Sequence, residues 1–246
     1  MYEERPARLA GAVLWTATTD PAASARPILP DGCMDLIWAD GRLLVAGPDT
    51  RAHVPTETAT RYAGLRFAPG DAPRVLGVPA RALRDRLVPL DALWDGPEAR
   101  RTGERITEAP DPAAALEELV RLRSAAAPAP DPLLRAVVAR LAAGRPVART
   151  ADAVGLGARQ LHRRSLDAFG YGPKTLARIL RLQRALALVR SGVPYAEAAV
   201  RAGCADQAHL AREVRSLTGT TPTAYARLSA SANNDTAHPS GSSTTA

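Results

Sequence analysis

LHRRSLDAFGYGP, residues 161–173, and LAREVRSLTGTTP, residues 210–222, carry one pattern twice. Each opens Leu-x-Arg, places Gly nine residues after the Leu (Gly170, Gly219) and places Pro three residues after that Gly (Pro173, Pro222). The match extends upstream. Gly144, Pro146, Ala151 and Gly155 recur as Gly192, Pro194, Ala199 and Gly203, at an offset of 48 that becomes 49 after Gly203. The matched positions are mainly Gly and Pro, which set backbone geometry. Self-similarity of this kind marks a repeated supersecondary unit, here in two copies, too few for a solenoid.

Residues 131–228 predict seven helices. LLRAVVARLAA runs to Gly144; short helices cover roughly 147–154 and 158–169; a long helix runs from Pro173 through KTLARILRLQRALALVRS to Gly192. A second short pair covers roughly 195–202 and 206–218, and TAYARL forms a last turn after Pro222. Two helices joined by a short Gly-containing turn are the helix-turn-helix signature. Gly155 and Gly203 fall where that turn needs a positive φ, and Gly170 and Gly219 fall where a helix ends.

Charge follows the repeat. Residues 131–228 hold 16 Lys and Arg against 6 Asp and Glu, whereas residues 1–130 hold 16 against 18, within a chain of net charge +7. A basic region beside a near-neutral one points to a polyanion partner for the former. In the first unit Leu156, Leu161 and Phe169 point inward, Arg159 and Arg163 lie four apart on one face with His162 beside them, and in the second unit Leu210, Val214 and Leu217 point inward. Gln207, Ala208, Ala211 and Arg212 form the outer stripe of the second unit. Arg bonds guanine O6 and N7 together and Gln bonds adenine N6 and N7, so these side chains suit reading of a DNA major groove. Ala208 and Ala211 offer only methyl contact. A long helix of about 25 Å, widened by the units at its ends, sets the two outer stripes about 34 Å apart, one turn of B-DNA.

GLGARQLHRRSLDAFGYGP and AGCADQAHLAREVRSLTGTTPTAYAR, with the joining helix and the final Pro222-x-x-Tyr225, resemble the two helix-turn-helix units of AraC/XylS-type transcription regulators. The resemblance covers about 98 residues. It implies a sequence-specific, cytoplasmic, bacterial-type regulator of transcription that binds double-stranded DNA. The family's base-contacting positions fall on Arg159, His162 and Arg163, and on Gln207, Ala208, Ala211 and Arg212. In the first unit Ser165 stands where the family usually has Phe, and Val214 is the equivalent in the second. ILPDGCMDLIWADGRLLVAGPD (28–49) resembles the front domain of a subset of AraC-like regulators. In the wider family that domain is a β-barrel sensor or a dimerisation unit. The further partners this implies are a small-molecule effector, RNA polymerase and a second copy of the chain.

The front half itself reads as strands: GAVLWTA, MDLIWAD, RLLVAG and YAGLRFA are short apolar runs among Pro, Gly and Asp, and Asp40-Gly41 signals a hairpin. From about residue 71 the pattern turns helical, in APRVLG, PARALRDRL, PLDALWDG and AAALEELVRLRSA. The expected architecture is therefore α+β. A β-rich, barrel-like N-terminal domain with following helices covers 1–123, a linker 124–132, an all-α double helix-turn-helix domain 133–228, and a disordered tail 229–246.

Enzymatic chemistry has weaker support. An enzyme or repair-type protein whose N-terminal half acts while the basic half targets DNA is the alternative. Asp31 and Asp35 form a candidate carboxylate pair, but Pro-Asp-Gly reads first as a turn, and Cys33 is a lone thiol. A polar cleft uniting Asp31, Cys33 and Asp35 would favour that alternative. The two cysteines, Cys33 and Cys204, lie far apart and the four His are scattered, so neither a metal site nor a cofactor is expected. GYGPKT lacks phosphate-loop spacing. No run of about 18 apolar residues suggests a membrane span, and MYEERPARLAGAVLW does not read as a signal peptide.

Overall fold

Short apolar runs between turn residues produce an antiparallel sheet in a computed structural model that describes residues 1–19, 27–54 and 59–221. Its strands are β1 (Tyr2–Pro6), β2 (Val13–Thr18), β3 (Met34–Ala39), β4 (Arg42–Ala46), β5 (Arg61–Phe67) and β6 (Leu87–Pro89), in the order β1-β2-β5-β3-β4-β6. One aliphatic row crosses five strands, because Leu14 pairs with Leu65, Leu65 with Leu36, Leu36 with Val45 and Val45 with Val88. That row faces a core closed by three helices, α1 (Ala72–Leu76), α2 (Gly96–Thr107) and α3 (Pro112–Ala126), the last contributing Leu116, Leu119 and Val120. Because side chains alternate along a strand, Gly64 and Arg66 face the other side. There the Trp15 indole lies on Gly64, where a Cβ would sit 2.2 Å from the ring.

Four of the six strands and the helical turn of the pattern after residue 71 match the sequence reading. β1 was missed because its YEERP run is an edge strand with charged, exposed side chains. PARALRDRL does not make the helix expected of it: only Ala80–Ala82 closes a 3₁₀ turn, and the chain then enters β6. Asp85 at φ 56° interrupts the helical path. PLDALWDG likewise yields a 3₁₀ turn at Leu90–Ala92, and the helix starts only at Gly96, where the Asp95 carboxylate accepts from the Glu98 amide. The linker expected at 124–132 is shorter as irregular backbone, since α3 continues to Ala126 and the next helix begins at Pro132.

The C-terminal half resolves the doubled pattern. It contains α4 (Pro132–Ala142), α5 (Val147–Ala153), α6 (Ala158–Phe169), α7 (Pro173–Arg190), α8 (Tyr195–Arg201) and α9 (Gln207–Thr218). α5 and α8 are both 7 residues long and α6 and α9 are both 12. Gly155 and Gly203, in the turns, have φ of 66° and 86°, and Gly170 and Gly219, at the helix ends, have φ of 80° and 70°. The added residue lies between α8 and α9, whose connection is 202–206 against 154–157 in the first unit. TAYARL and the tail 229–246 lie outside the described residues.

The units share one core, built on Leu161, Phe169, Leu176, Ile179, Leu182, Leu186, Leu210, Val214 and Leu217, with Leu156 only partly buried at its rim. Ser165 is fully buried in α6, and its hydroxyl finds no partner among the described residues. A buried unpaired hydroxyl costs stability that a methyl group does not. Ser165→Ala is therefore expected to raise the unfolding free energy by about 1 kcal/mol. Denaturant titration checks this, and a loss of stability instead would mean that the hydroxyl is bonded.

Candidate nucleic-acid interface

On α6 the inward positions are Leu161, Ser165, Ala168 and Phe169, which leaves the first half of the opposite face to Arg159, His162 and Arg163. All three are exposed and make no hydrogen bond or ion pair with the described residues. Their neighbour Gln160 turns back, its Oε1 accepting from the Gly157 amide 3.1 Å away. The His162 ring packs on the backbone at Gly172, where a Cβ would lie 2.7 Å from its Cε1.

α9 repeats this layout. Leu210, Val214, Leu217 and Thr218 are buried; Gln207, Ala208 and Arg212 are exposed, and Ala211 is half-buried. Gln207 and Arg212 also lack partners among the described residues. The Asp206 carboxylate caps the helix by accepting from the His209 amide at 2.6 Å. Arg215 was absent from the sequence reading although it is exposed on this helix and follows Arg212 by three residues. Glu213 offsets no charge on that face: it is held by Arg178 of α7 at 3.0 Å.

The sequence reading also missed Arg184. From the middle of α7 its guanidinium donates to the carbonyl of Ala142, at the end of α4, and to that of Ala202, at the end of α8. A cation between two helix C-termini suits both helix dipoles. Gly144 and Gly203 leave it room, since Cβ atoms there would lie 3.1 and 3.7 Å from its Nη2. One side chain thus ties the joining helix to both units.

The front half supplies the competing cluster. Asp31, Cys33 and Asp35 do converge, on Arg66, whose Nε lies 3.4 Å from Asp31 and 3.5 Å from Asp35. These groups are occupied with one another. Asp31 accepts from the Cys33 amide at 2.8 Å, and Asp35 accepts from the Trp15 indole N–H at 2.8 Å. Burial pushes the Cys33 thiol well above its usual range, which leaves it neutral and a poor nucleophile. Burial also pushes the Asp35 carboxyl upward. Among the described residues no group of three or more His, Cys, Asp or Glu is arranged to hold a metal ion, and no helix is long and apolar enough to cross a membrane.

Residues 150–228 match the family described as a helix-turn-helix domain. They are an AraC-type helix-turn-helix domain. Carrying the AraC-type domain, the chain is a DNA-binding regulator of transcription. Residues 11–89, ahead of it, match a domain of unknown function, DUF6597. No curated protein matches the chain. Among solved structures it is similar to an apo variant of ToxT from Vibrio cholerae strain SCE256, at 8% identity, covering 89% of this chain and 98% of that one with a TM-score of 0.47. ToxT from Vibrio cholerae O395 is similar at 10% identity, 87% and 95% coverage and a TM-score of 0.44. Wild-type ToxT with a bound unsaturated fatty acid is similar at 10% identity, 87% and 93% coverage and a TM-score of 0.43.

Proposed function

We propose that the AraC-type domain reads two successive major grooves on one side of a duplex, with α6 in the first and α9 in the second. Arg159, His162 and Arg163 face the first groove, and Gln207, Ala208, Ala211 and Arg212 face the second. The observation that carries this reading is the duplicate geometry: two units with helices of equal length, joined by an 18-residue helix. That joining helix spans about 27 Å. Unpaired Arg and Gln side chains fill the first half of each outer face, where base edges would be met. The first unit, with two Arg and one His, contributes more of the base selection than the second, where Ala208 and Ala211 add methyl contact. Residues 133–228 form the reading domain in this proposal and residues 1–123 its front domain. The Arg66 cluster supports a structural role for the front domain over an enzymatic one, because Arg66 is buried between the two carboxylates and the Cys33 thiol is held neutral by burial.

The test is Arg163→Ala, compared on a selected binding site and on random duplex at several salt concentrations. Loss of a bidentate base contact weakens the specific complex by about 1–3 kcal/mol and relaxes preference at one or two base pairs. Equal losses on both duplexes would assign Arg163 to phosphate. Cleavage protection confined to one groove would overturn the two-groove reading.

A further inference from the structure

The outer faces of α6 and α9 are free in their first halves, but each helix is held at its last turn by the front half. On α6, the Phe169 ring lies against Gly70, where a Cβ would sit 2.8 Å away, and Asp167 pairs with Arg81. Gly170, which ends that helix, abuts Pro48 and Ala80: a Cβ there would lie 2.5 Å from Pro48 Cγ and 3.2 Å from the Ala80 carbonyl oxygen. On α9, the carbonyl of Leu217 accepts from the Ala52 amide at 2.7 Å. It is one of the carbonyls that a helix C-terminus leaves unpaired.

Pro48 and Ala52 belong to one loop. Four residues span at most about 14 Å, so a single short segment links the matching ends of the two helices. The loop is stiffened on both sides. Thr50 donates from its amide and its hydroxyl to Asp85 Oδ1 at 2.6 and 2.8 Å, and the Asp85 amide donates to the Pro48 carbonyl at 3.2 Å. His53 exchanges backbone hydrogen bonds with Ile28 at 2.8 and 3.1 Å. The segment entered at Ile28 continues onto α7: the Pro30 carbonyl accepts from Gln183 Nε2 at 2.6 Å, and Gly32 sits against Leu176.

We propose that residues 28–32, 47–53 and 80–81 of the front half form a bracket that fixes the separation and angle of the two recognition helices, so that the front half determines which groove spacing the chain accepts. The bracket works at the last turns of the helices, beyond the proposed base-reading positions in their first halves. The inference rests on the two-groove reading and adds a positioning role for the front half, with Ala52 as the residue that engages the second unit and Arg81 as one that engages the first.

The experiment uses the full chain and a selected duplex, together with versions of that duplex carrying one or two base pairs inserted or deleted between the two protected grooves. Each inserted pair rotates the second groove by about 34–36°. The native chain should lose about tenfold or more in affinity per added pair, as for a lost base contact. Ala52→Pro removes the donor to Leu217, and Arg81→Ala breaks the pair to Asp167 at a side chain 53% exposed, where folding is not at stake. Each should flatten the spacing preference to about threefold or less, a change that general loss of stability does not produce, because every duplex would then weaken alike. Ala52→Ser keeps the N–H and should retain the native preference. Variants that keep the native spacing preference overturn the bracket and leave the two-groove reading standing. A native chain indifferent to spacing overturns both.

Discussion

Arg66→Met is expected to lower the unfolding free energy by about 3 kcal/mol, because it leaves two largely buried carboxylates without their cation. Arg66 is 5% exposed and stands between Asp31 and Asp35. Burial opposes its charge, yet the two carboxylates outweigh burial and its pKa is raised. The pH dependence has a definite sign. The Asp35 pKa is already raised in the folded state, and losing Arg66 raises it further. A carboxyl with a raised folded pKa costs stability above that value, and the cost disappears as pH falls through it towards the unfolded pKa. The deficit of the variant should therefore narrow on acidification from neutrality. Denaturant titration of both proteins across that range measures it. A deficit below about 1 kcal/mol at neutral pH would mean that water reaches the cluster.

Phe169→Ala should cost a similar amount, about 3–5 kcal/mol, from lost burial and the cavity left behind. The effect should not stay in the helical half. Phe169 is 1% exposed, sits in the C-terminal core and also covers Gly70 of the front half. The three tryptophans, Trp15, Trp38 and Trp94, all lie in the front half, so their fluorescence follows that half while far-ultraviolet circular dichroism is dominated by the helices. Both signals should shift to lower denaturant together. A fluorescence transition left in place would show that the halves unfold independently.

The C-terminal organisation was legible in the sequence because backbone punctuation is local. A Gly at positive φ acts through its own residue, and such glycines recur at Gly155 and Gly203 and at Gly170 and Gly219, while Pro173 opens the joining helix in the same local way. The exposed stripe was legible for the same reason, as a 3.6-residue period carries it. What escaped the reading depends on partners distant in sequence. Arg184 reads as one more Arg on a basic helix until Ala142 and Ala202 close around it. Pro-Asp-Gly at Asp31 reads as a turn and Cys33 as a lone thiol because the partner they converge on, Arg66, lies far off in sequence on β5. PARALRDRL has helical spacing, but Asp85 takes a left-handed turn that presents its carboxylate to Thr50 and its amide to Pro48. The contacts between the halves were not anticipated either, since Ala52 and Gly170 have no side-chain chemistry to announce them.

Arg184 has a consequence for how the two copies can diverge. Their outward faces already differ: Arg, His and Arg on one, Gln, Ala, Ala and Arg on the other. The packing leaves most of these positions open to change, since Arg159, Arg163, Gln207 and Arg212 are exposed and make no side-chain hydrogen bond or ion pair with the described residues. The ends of α4 and α8 stand under a different constraint, because both draw on the same guanidinium. A shift in either end withdraws a donor from its own carbonyl and disturbs the angle at which the other is met. The two copies are therefore free to differ in what their outer faces present, while neither can alter its stance without its twin.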